Sequence, residues 1–567
     1  MMEHPYGWLS LLPPIVAIGL AIATRRVVVS LVVGIFAGAL VTSDGNLFLA
    51  LIDTLELHLW RTLTDPGKLR VFSFTLLMGA MIGVVAESGG MRGLVNMVIP
   101  WAKTRRRGQM TVWLLGMLVF FDDYANSILL GKTLQPLCDR LRISREKLAY
   151  LVDSTAAPVA GLALVSTWVA VEIDYVQEGL DQISIPSDVT AFSLFVASIP
   201  YRFYILMSLV MIPWLALQLR DFGPMLAAER RRQLSKDNAP AEADDQLTDK
   251  ASDRWFNAVV PILVTLIVVV ALMVVTGRNA LPDTVPANLR NVFGQADSSL
   301  ALQYGALAGL VVASLLCLGQ RLMSFEQIIV AAGKGARLLV PAIAILWCAS
   351  TMSRMTGYKS VDGEMPQSAY EFRDHRLYSA DYLKQLLRPD DIEATEEEEQ
   401  LAAAQSARTL PTVVFLLAAV VAFCTGTSFG TMGILMPMTI GLADTMLSGG
   451  TTPLDASHPI LLASVGGVLS GAVFGDHCSP ISDTTILSSQ ASGCDHMAHV
   501  WTQLPYALTV AVVSVVFGTL PLGWGVSTWF LLPLQAVALL VIVRWLGQPI
   551  EAADRDARSS SVDEESS

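Results

Sequence analysis

The sequence has 567 residues, of which 53% are hydrophobic and only 16% are charged. Soluble domains carry about 25% charged residues, and the stretches 259–275 and 507–522 contain no Asp, Glu, Lys or Arg. Because about 20 apolar residues cross a bilayer as a helix, a single soluble core is excluded. Much of the acid behind the net charge of −12 lies in 390–399 and 551–567, so nucleic-acid binding is unsupported.

In chain order, the apolar segments predict nine membrane spans and two longer apolar regions that Gly, Pro and polar residues interrupt. The spans are expected near 8–23, 27–43, 71–88, 190–219, 255–276, 300–318, 337–353, 503–523 and 526–545, and the interrupted regions are 108–174 and 410–490. The segment 324–332 is compatible with an interfacial helix.

This pattern predicts seven regions. They are N-terminal spans (1–70), a first repeat (71–219), a cytoplasmic polar linker (220–254), connecting spans (255–336), a second repeat (337–523) with a polar acidic insertion (354–409), a last span (524–545) and an acidic disordered tail (546–567). The insertion falls where the first repeat has its basic cytoplasmic loop, so an inverted relation between the repeats predicts that it lies outside the cell.

Basic clusters orient the first interrupted region. One cluster is Lys103 with 105–107, and the other spans 140–147. The positive-inside rule places both clusters in the cytoplasm. The stretch 111–137 between them therefore predicts a re-entrant hairpin with residues 122–126 near its tip, since non-helical backbone at membrane depth must be buried in protein or line a watery cavity. The alternative is two ordinary spans, whose short turn would hold two carboxylates.

The second interrupted region repeats this plan in the opposite orientation. Pro136 aligns with Pro437, and Pro158 aligns with Pro480. The loop 441–458, which corresponds to the basic loop of the first region, contains no Lys or Arg and is predicted to lie outside. Inverted repeats of this kind are typical of secondary transporters, whose binding sites lie near the bilayer midplane.

Four polar stretches (121–127, 153–158, 425–431 and 475–485) interrupt the apolar sequence. Two contain a proline, which breaks the helical hydrogen-bond ladder and frees carbonyl groups. Carboxylate, hydroxyl and carbonyl oxygens suit a hard cation such as Na⁺. The candidate ligands for a cation or a proton are Asp122, Asp123, Asn126, Ser154, Thr155, Thr427, Ser428, Asp476, Ser479, Asp483 and Thr484.

Asp123 and Asp483 are the central candidates, because ionisable residues at membrane depth are costly and usually functional. A carboxylate that binds Na⁺ expels its proton, and protonation expels Na⁺, so the competition itself provides a physical basis for exchange. Helix capping is an equal alternative to ligation for Ser154, Asp476 and Ser479.

Other polar residues near these stretches have simpler interpretations. Asp122 is expected to differ in role from its neighbour, and Asp153 is expected to reach the cytoplasmic interface. Glu172 and Asp174 are predicted to lie at a solvated helix end. His477 is a candidate proton relay near neutral pH, with a hydrogen-bonded structural histidine as the alternative.

The stretches FFDDYANSILLG (120–131), STAAPVAGLALVSTW (154–168), GTSFGTMGILMP (426–437) and GDHCSPISDTTILSS (475–489) resemble the motifs of the NhaC-type Na⁺/H⁺ antiporter family, in the ion transporter superfamily. The resemblance implies an all-α polytopic membrane fold of inverted repeats, each with a re-entrant helical hairpin and a broken transmembrane helix. It also implies exchange of cytoplasmic Na⁺ for H⁺ by alternating access in the bacterial inner membrane. No enzymatic activity and no cofactor are implied, and the partners are membrane lipid, small ions and, by analogy with the superfamily, a second copy in a homodimer.

Two alternatives stay open. Some relatives exchange organic acids or amino acids, such as malate for lactate, together with coupled ions. Half-helix N-termini attract anions, so residues 154–155 could face a carboxylate, although the absence of an intramembrane Arg near the four stretches disfavours a dicarboxylate. The second alternative, a non-transporting scaffold or sensor, is disfavoured by the polar interruptions at membrane depth.

Overall fold

The computed structural model describes residues 4–24, 26–181, 183, 189–234, 254–281, 287, 292, 295–356, 375–379, 382, 405–448 and 454–550. Most of the predicted polar linker, the predicted acidic insertion and the predicted tail lie outside these residues. Apart from the connecting turns and loops, the described chain is helical except for one short antiparallel ladder, in which β1 (Arg220–Asp221) pairs with β2 (Gln548–Pro549).

The N-terminal part consists of short helices followed by one long span. Asp65 caps this span by accepting hydrogen bonds from the backbone N–H groups of Gly67 and Lys68, and Pro66 occupies its first turn. The elements are a 3₁₀ helix (Gly7–Leu11), α1 (Leu12–Thr24), α2 (Val27–Thr42), α3 (Leu47–Ile52), a π-helical turn (Asp53–Trp60), α4 (Arg61–Leu63), α5 (Pro66–Glu87), α6 (Gly90–Val98) and a 3₁₀ helix (Ile99–Trp101).

The first interrupted region forms four helices. Two further helices, which meet at a bend, follow them in the chain. The elements are α7 (Arg105–Leu118), α8 (Asp123–Arg140), α9 (Arg145–Leu162), α10 (Thr167–Leu180), α11 (Ala191–Ser198), a 3₁₀ turn (Ile199–Tyr201), α12 (Phe203–Gln218), β1 and α13 (Gly223–Leu234). We call α7 and α8 hairpin one, and α9 and α10 broken helix one.

The rest of the chain contains the connecting spans and the second interrupted region. The elements are α14 (Phe256–Ala280), α15 (Ser298–Gly319), α16 (Phe325–Leu338), α17 (Val340–Thr356), α18 (Leu410–Thr425), α19 (Ser428–Ser448), α20 (Pro459–Cys478), α21 (Asp483–Ser492), α22 (His496–Ser514), a π-helical turn (Val515–Thr519), α23 (Leu520–Gly523), α24 (Thr528–Leu546) and β2. We call α18 and α19 hairpin two, and α20 and α21 broken helix two.

Within the described residues, six helices are long and apolar enough to cross a membrane, or nine if each bent pair counts as one span. The bent pairs are α9 with α10 (51°), α11 with α12 (47°) and α16 with α17 (43°). The chain is therefore an all-α polytopic membrane protein. The expected interfacial helix at 324–332 and the neighbouring predicted span lie in one such bent pair, α16 with α17, and the interfacial position stays a prediction. The inverted relation between the halves and the re-entrant course of the hairpins stay predictions.

Helix α20 lies at the centre of the molecule. In its most apolar stretch of 18 residues, α20 is 89% buried. The corresponding values are 28% for α14 and 22% for α24, whose apolar faces are not covered by the rest of the protein. Three glycines at helical spacing, Gly467, Gly471 and Gly475, let α20 pack closely against the backbone of α18. Hairpin two is thereby held against broken helix two along its whole first arm.

A second close helix contact joins α5 to α16, and it gives the first testable prediction. A Cβ atom at Gly335 would meet the carbonyl oxygen of Gly79 and the backbone of Gly83, whereas a Cβ atom at Gly333 would meet nothing within 4 Å. We expect Gly335→Ala to lower the free energy of unfolding by about 1–3 kcal/mol, since backbone must move to make room. Gly333→Ala on the same helix is the control. Equal unfolding of both purified variants in detergent would contradict the prediction.

Candidate cation site

Hairpin one is interrupted where Asp122 begins its second helix. The Asp122 carboxylate accepts hydrogen bonds from the backbone N–H of Ala125 (2.7 Å) and from the Thr167 hydroxyl (2.9 Å). In return, the Thr167 N–H donates to the Phe121 carbonyl oxygen at 3.0 Å. Asp122 therefore caps α8 and fastens the tip of hairpin one to the second segment of broken helix one.

Asn126 is buried and stabilises the break between the two helices of hairpin one. Its Nδ2 atom donates to the carbonyl oxygens of Gly116 (3.0 Å), Val119 (3.1 Å) and Thr155 (3.1 Å). Two of these carbonyls lie at the end of α7, where the helical ladder leaves acceptors free. The Asn126 Nδ2 atom is thus engaged in hydrogen bonds that stabilise this break.

Ser154 and Thr155 lie inside α9 and not at its break, so the prediction that Pro158 interrupts the helix there was wrong. Pro158 stays within α9, because a proline removes one hydrogen bond and a packed helix can tolerate that loss. The break falls at 163–166, where Ser166 caps α10 by accepting from the N–H groups of Trp168 and Val169. The Thr155 hydroxyl donates to its own helix backbone, at the Leu151 carbonyl oxygen (2.9 Å).

Broken helix two is interrupted as predicted, at 479–482. The Ser479 hydroxyl donates to the Phe423 carbonyl oxygen of hairpin two at 2.8 Å, so this candidate ligand is engaged in packing. Asp476, in the last turn of α20, is only 4% exposed. Its carboxylate accepts from the Thr484 hydroxyl at 3.3 Å, and Ser428 and Ser482 lie close to it.

One cavity brings the remaining candidates together between hairpin one, hairpin two and broken helix two. The cavity itself has a volume of about 30 Å³, and it opens into a wider space that is continuous with the outside. Six predicted residues line it, namely Asp123, Thr427, Ser428, Asp476, Asp483 and Thr484. The other lining residues are Tyr124, Trp168, Pro341, Ala342, Ile345, Gly426 and Phe429.

The cavity has buried and exposed carboxylates and no basic side chain among the described residues that line it. Asp123 (2% exposed) lies close to Asp476 and to the Trp168 indole, whereas Asp483 is exposed. The Tyr124 hydroxyl donates to Asp483 Oδ2 at 3.3 Å and so joins hairpin one to broken helix two. No three His, Cys, Asp or Glu side chains in the described part of the chain converge on a point where one metal ion could bind. A cation here would therefore contact at most two carboxylates at once, with hydroxyls and water completing its coordination.

Gly426, at the tip of hairpin two, provides a test of how this cavity is built. It ends α18 in the left-handed region (φ +68°), and a Cβ atom there would lie 2.7 Å from the Ile481 carbonyl oxygen in the break of broken helix two. We expect Gly426→Ala to lower the free energy of unfolding by about 1–3 kcal/mol more than Gly45→Ala does. Gly45 shares the positive φ (+81°) but has open space around it. Equal losses in the two variants, measured by unfolding in detergent, would show that the tip is not tightly packed.

Asp153 is a polar residue whose position the sequence did not reveal. It was expected at the cytoplasmic interface, but the residue is fully buried. Its carboxylate accepts from Gln503 Nε2 (2.6 Å), from the Ser488 hydroxyl (3.2 Å) and from the Thr485 hydroxyl (3.3 Å), and His499 Nε2 lies 3.4 Å away. His499 and Gln503 lie four residues apart on a helix without Asp, Glu, Lys or Arg, and this spacing is a signal that could have indicated a buried polar partner.

The expectation of a solvated helix end at Glu172 and Asp174 was also wrong, because both find buried cationic partners. Arg202 Nη1 donates to Glu172 Oε2 at 2.7 Å, and Lys68 Nζ lies 2.7 Å from Asp174 Oδ2. Arg202 also donates to the Gly161 carbonyl oxygen near the end of α9. A buried Arg therefore does lie beside broken helix one, although it does not line the cavity.

His477 is buried in a hydrogen-bonded position next to Asp476. Its Nδ1 atom lies 2.9 Å from the Tyr204 hydroxyl, and its backbone oxygen accepts from Gln503 Nε2 at 2.9 Å. These contacts fit the structural alternative for His477, and its role as a proton relay stays a prediction.

Comparison with known proteins gives the family. A family model described as "Na+/H+ antiporter family" matches residues 159–357 and 398–524. An uncharacterized protein of Haemophilus influenzae is 32% identical over 542 residues, which cover 94% of each chain. This chain therefore belongs to the Na⁺/H⁺ antiporter family, and within it to the NhaC type.

Shorter similarities link the chain to proteins with more specific names. An uncharacterized Na⁺/H⁺ antiporter of Haemophilus influenzae is 44% identical over 106 residues, 18% of this chain and 20% of that one. A malate-2H⁺/Na⁺-lactate antiporter of Bacillus subtilis is 36% identical over 111 residues, 19% of this chain and 21% of that one. Among solved structures, the YdaH transporter of Alcanivorax borkumensis aligns with a TM-score of 0.47 at 15% identity, covering 86% of this chain and 90% of that one.

Proposed function

We propose that the protein exchanges cytoplasmic Na⁺ for protons across the bacterial inner membrane by alternating access, with the acidic cavity as the shared binding site. The observation that carries this proposal is that Asp123 from the first half and Asp476 and Asp483 from the second half line one cavity, whose described lining residues include no basic side chain. Buried carboxylates with no cationic partner must bind either a proton or a cation, because an isolated buried charge is very costly.

Competition for these carboxylates couples the two ions. When Na⁺ enters, its single charge balances one of the two carboxylates, Asp123 or Asp476, and the proton of that carboxylate leaves. When protons bind, the carboxylates become neutral and no longer hold Na⁺. The hydroxyls of Thr427, Ser428 and Thr484 supply further oxygen ligands of the kind a hard cation prefers.

The location of the cavity suits alternating access. Its walls come from hairpin one, broken helix one, α17, hairpin two and broken helix two. A movement of one group of helices against another would open it towards one side of the membrane and close it towards the other, as in other transporters with interrupted helices.

The test is transport by the purified protein in proteoliposomes that contain a pH-sensitive dye. We expect proton movement on addition of Na⁺ or Li⁺ alone, with no response to K⁺ at the same ionic strength. If the dye responds to no alkali cation but responds to an added organic substrate, Na⁺/H⁺ exchange is not the function. Proteoliposomes without protein and proteoliposomes with the Asp123→Asn variant provide the controls.

A second candidate is exchange of a small organic cation, such as a basic amino acid. The rings of Trp168 and Phe429, whose centroids lie 4.8 Å apart, form an aromatic wall beside the carboxylates. Aromatic faces attract ammonium and guanidinium groups. The same lining disfavours malate or lactate, because its carboxylates would repel an organic acid. Arginine, ornithine, malate and lactate are therefore added separately in the same assay.

A further inference from the structure

Exposed cations gather at the two ends of hairpin one that lie away from its tip. One group lies just before and within the first turn of α7, and the other lies at the end of α8 and in the turn that follows it. The two ends are in contact, because Arg105 Nη1 donates to the carbonyl oxygen of Arg142 at 2.8 Å. We call the exposed cations the basic surface, and its members are Lys103, Arg106, Arg107, Arg140 and Arg142.

The acidic side chains near the basic surface already have other partners. Asp139 pairs with Arg145 at 2.6 Å and with Arg232 at 3.0 Å. Glu229 is ion-paired with Arg105. Within the described ranges, no carboxylate lies at ion-pair distance from any member of the basic surface. These side chains therefore repel one another without a compensating charge from the protein.

The basic surface also brings no benefit to the helix on which it begins. The positive end of a helix dipole lies at the helix N-terminus, so cations in the first turn are unfavourable. Arg106 and Arg107 lie in the first turn of α7, and this turn contains no acidic residue that would offset them. An anion outside the protein would relieve both this conflict and the mutual repulsion of the cations.

Apolar side chains beside the basic surface indicate what kind of anion fits. Met97 and Trp101, which precede it in the chain, are 55% and 47% exposed. Leu114 and Leu118 are exposed on α7 at positions i+7 and i+11 from Arg107, so all three side chains lie on nearly the same face of the helix. A phospholipid matches this order of groups, with a charged headgroup followed by apolar chains, and tryptophan is enriched at the boundary between the two.

We propose that the basic surface binds the phosphate headgroups of anionic phospholipids, with Trp101 and Leu114 against the adjoining acyl chains. Arginine pairs with phosphate through two parallel hydrogen bonds, and clusters of Lys and Arg beside a membrane span attract anionic lipid. Because the surface includes both ends of hairpin one, a bound lipid holds these ends at the membrane surface. The lipid site is separate from the acidic cavity and does not depend on which ions the protein exchanges.

Lipid binding is measured on the full chain in detergent by native mass spectrometry. A phosphatidylglycerol and a phosphatidylcholine with the same acyl chains are added in equal amounts, and the bound copies of each are counted. We expect the wild type to retain the phosphatidylglycerol at least about tenfold more, and the variant Arg106→Gln, Arg107→Gln, Arg142→Gln to lose this preference. Raising ammonium acetate from about 0.1 M to about 1 M should weaken the preference, since the Debye length falls from about 10 Å to about 3 Å.

The matched control removes three exposed arginines from other elements, in the variant Arg26→Gln, Arg278→Gln, Arg321→Gln. It should keep the wild-type preference. Unchanged retention in the first variant overturns the proposal, and so does an equal loss in the control variant. If gel filtration shows that the first variant does not fold, Arg106→Gln with Arg107→Gln replaces it, with the same expectation.

The competing occupant of the basic surface is the acidic segment 551–567 of the chain itself. If the wild type shows no lipid preference and a variant that ends at Ile550 gains one, the segment occupies the surface, and lipid as its occupant is overturned. None of these measurements needs transport. A wild type that binds phosphatidylglycerol but exchanges no ions would contradict the proposed function and leave the lipid site standing.

Discussion

Asp123→Asn is expected to reduce Na⁺-driven proton exchange to below about one hundredth of the wild-type rate, because an amide cannot exchange a proton for a cation. Asp123 is buried beside Asp476 in the cavity, and the asparagine has nearly the same shape, so the fold should persist. The rate is measured by dye response in proteoliposomes with matched protein content. We expect the same loss for Asp483→Asn, whose carboxylate lines the same cavity.

The control for Asp123→Asn is Asp181→Asn, just beyond the end of α10 and outside the cavity. It removes the same charge and should keep the wild-type rate. Gel filtration and the unfolding temperature show whether each variant is folded. A folded Asp123→Asn protein that retains exchange within about twofold of wild type would remove Asp123 from the site, since such a small effect is not what loss of a shared ligand produces.

Arg202→Leu is expected to lower the free energy of unfolding by about 3–5 kcal/mol, because it leaves Glu172 buried without its cation. Both side chains are almost completely buried, and they are joined by a 2.7 Å hydrogen bond. Adding Glu172→Gln to Arg202→Leu should recover part of the loss, since the unpaired charge is then gone. Unfolding of the purified proteins in detergent provides the measurement.

The matched control for this ion pair is Lys334→Leu. Lys334 pairs with Glu87 at 3.2 Å, but both side chains are exposed, and such pairs contribute only about 0–1 kcal/mol. If Arg202→Leu and Lys334→Leu unfold at the same temperature, Glu172 is not held by Arg202 in the way its burial indicates.

The sequence was sufficient to predict the helical class and the presence of broken helices, because charge depletion and polar stretches are local signals. The residue at which a helix stops was harder to predict. Pro158 is the obvious breaker, yet α9 continues past it and ends where Ser166 can cap the next segment. A proline removes only one hydrogen bond of a helix. A new helix, however, begins only where acceptors satisfy the free backbone N–H groups of its first turn, and Ser166 provides such an acceptor.

For the candidate site as well, the sequence indicated which residues are important but not which distant residues they contact. Asp123, Asp476 and Asp483 were predicted from polar type within apolar sequence, and the structure places them around one cavity. The burial of Asp153 and Glu172 was missed, because their partners Gln503 and Arg202 are 350 and 30 residues away in the chain. Local patterns show that a charge is present, but only the packing of distant helices shows what balances it.

The three carboxylates of the cavity line its wall but do not converge on a single point within the described residues. An ion that is held by few fixed ligands and by mobile water has a short residence time and a modest affinity. We therefore expect a carrier that saturates only when sodium is abundant and that then turns over quickly. Such a protein would serve to relieve salt load rather than to remove the last traces of the ion.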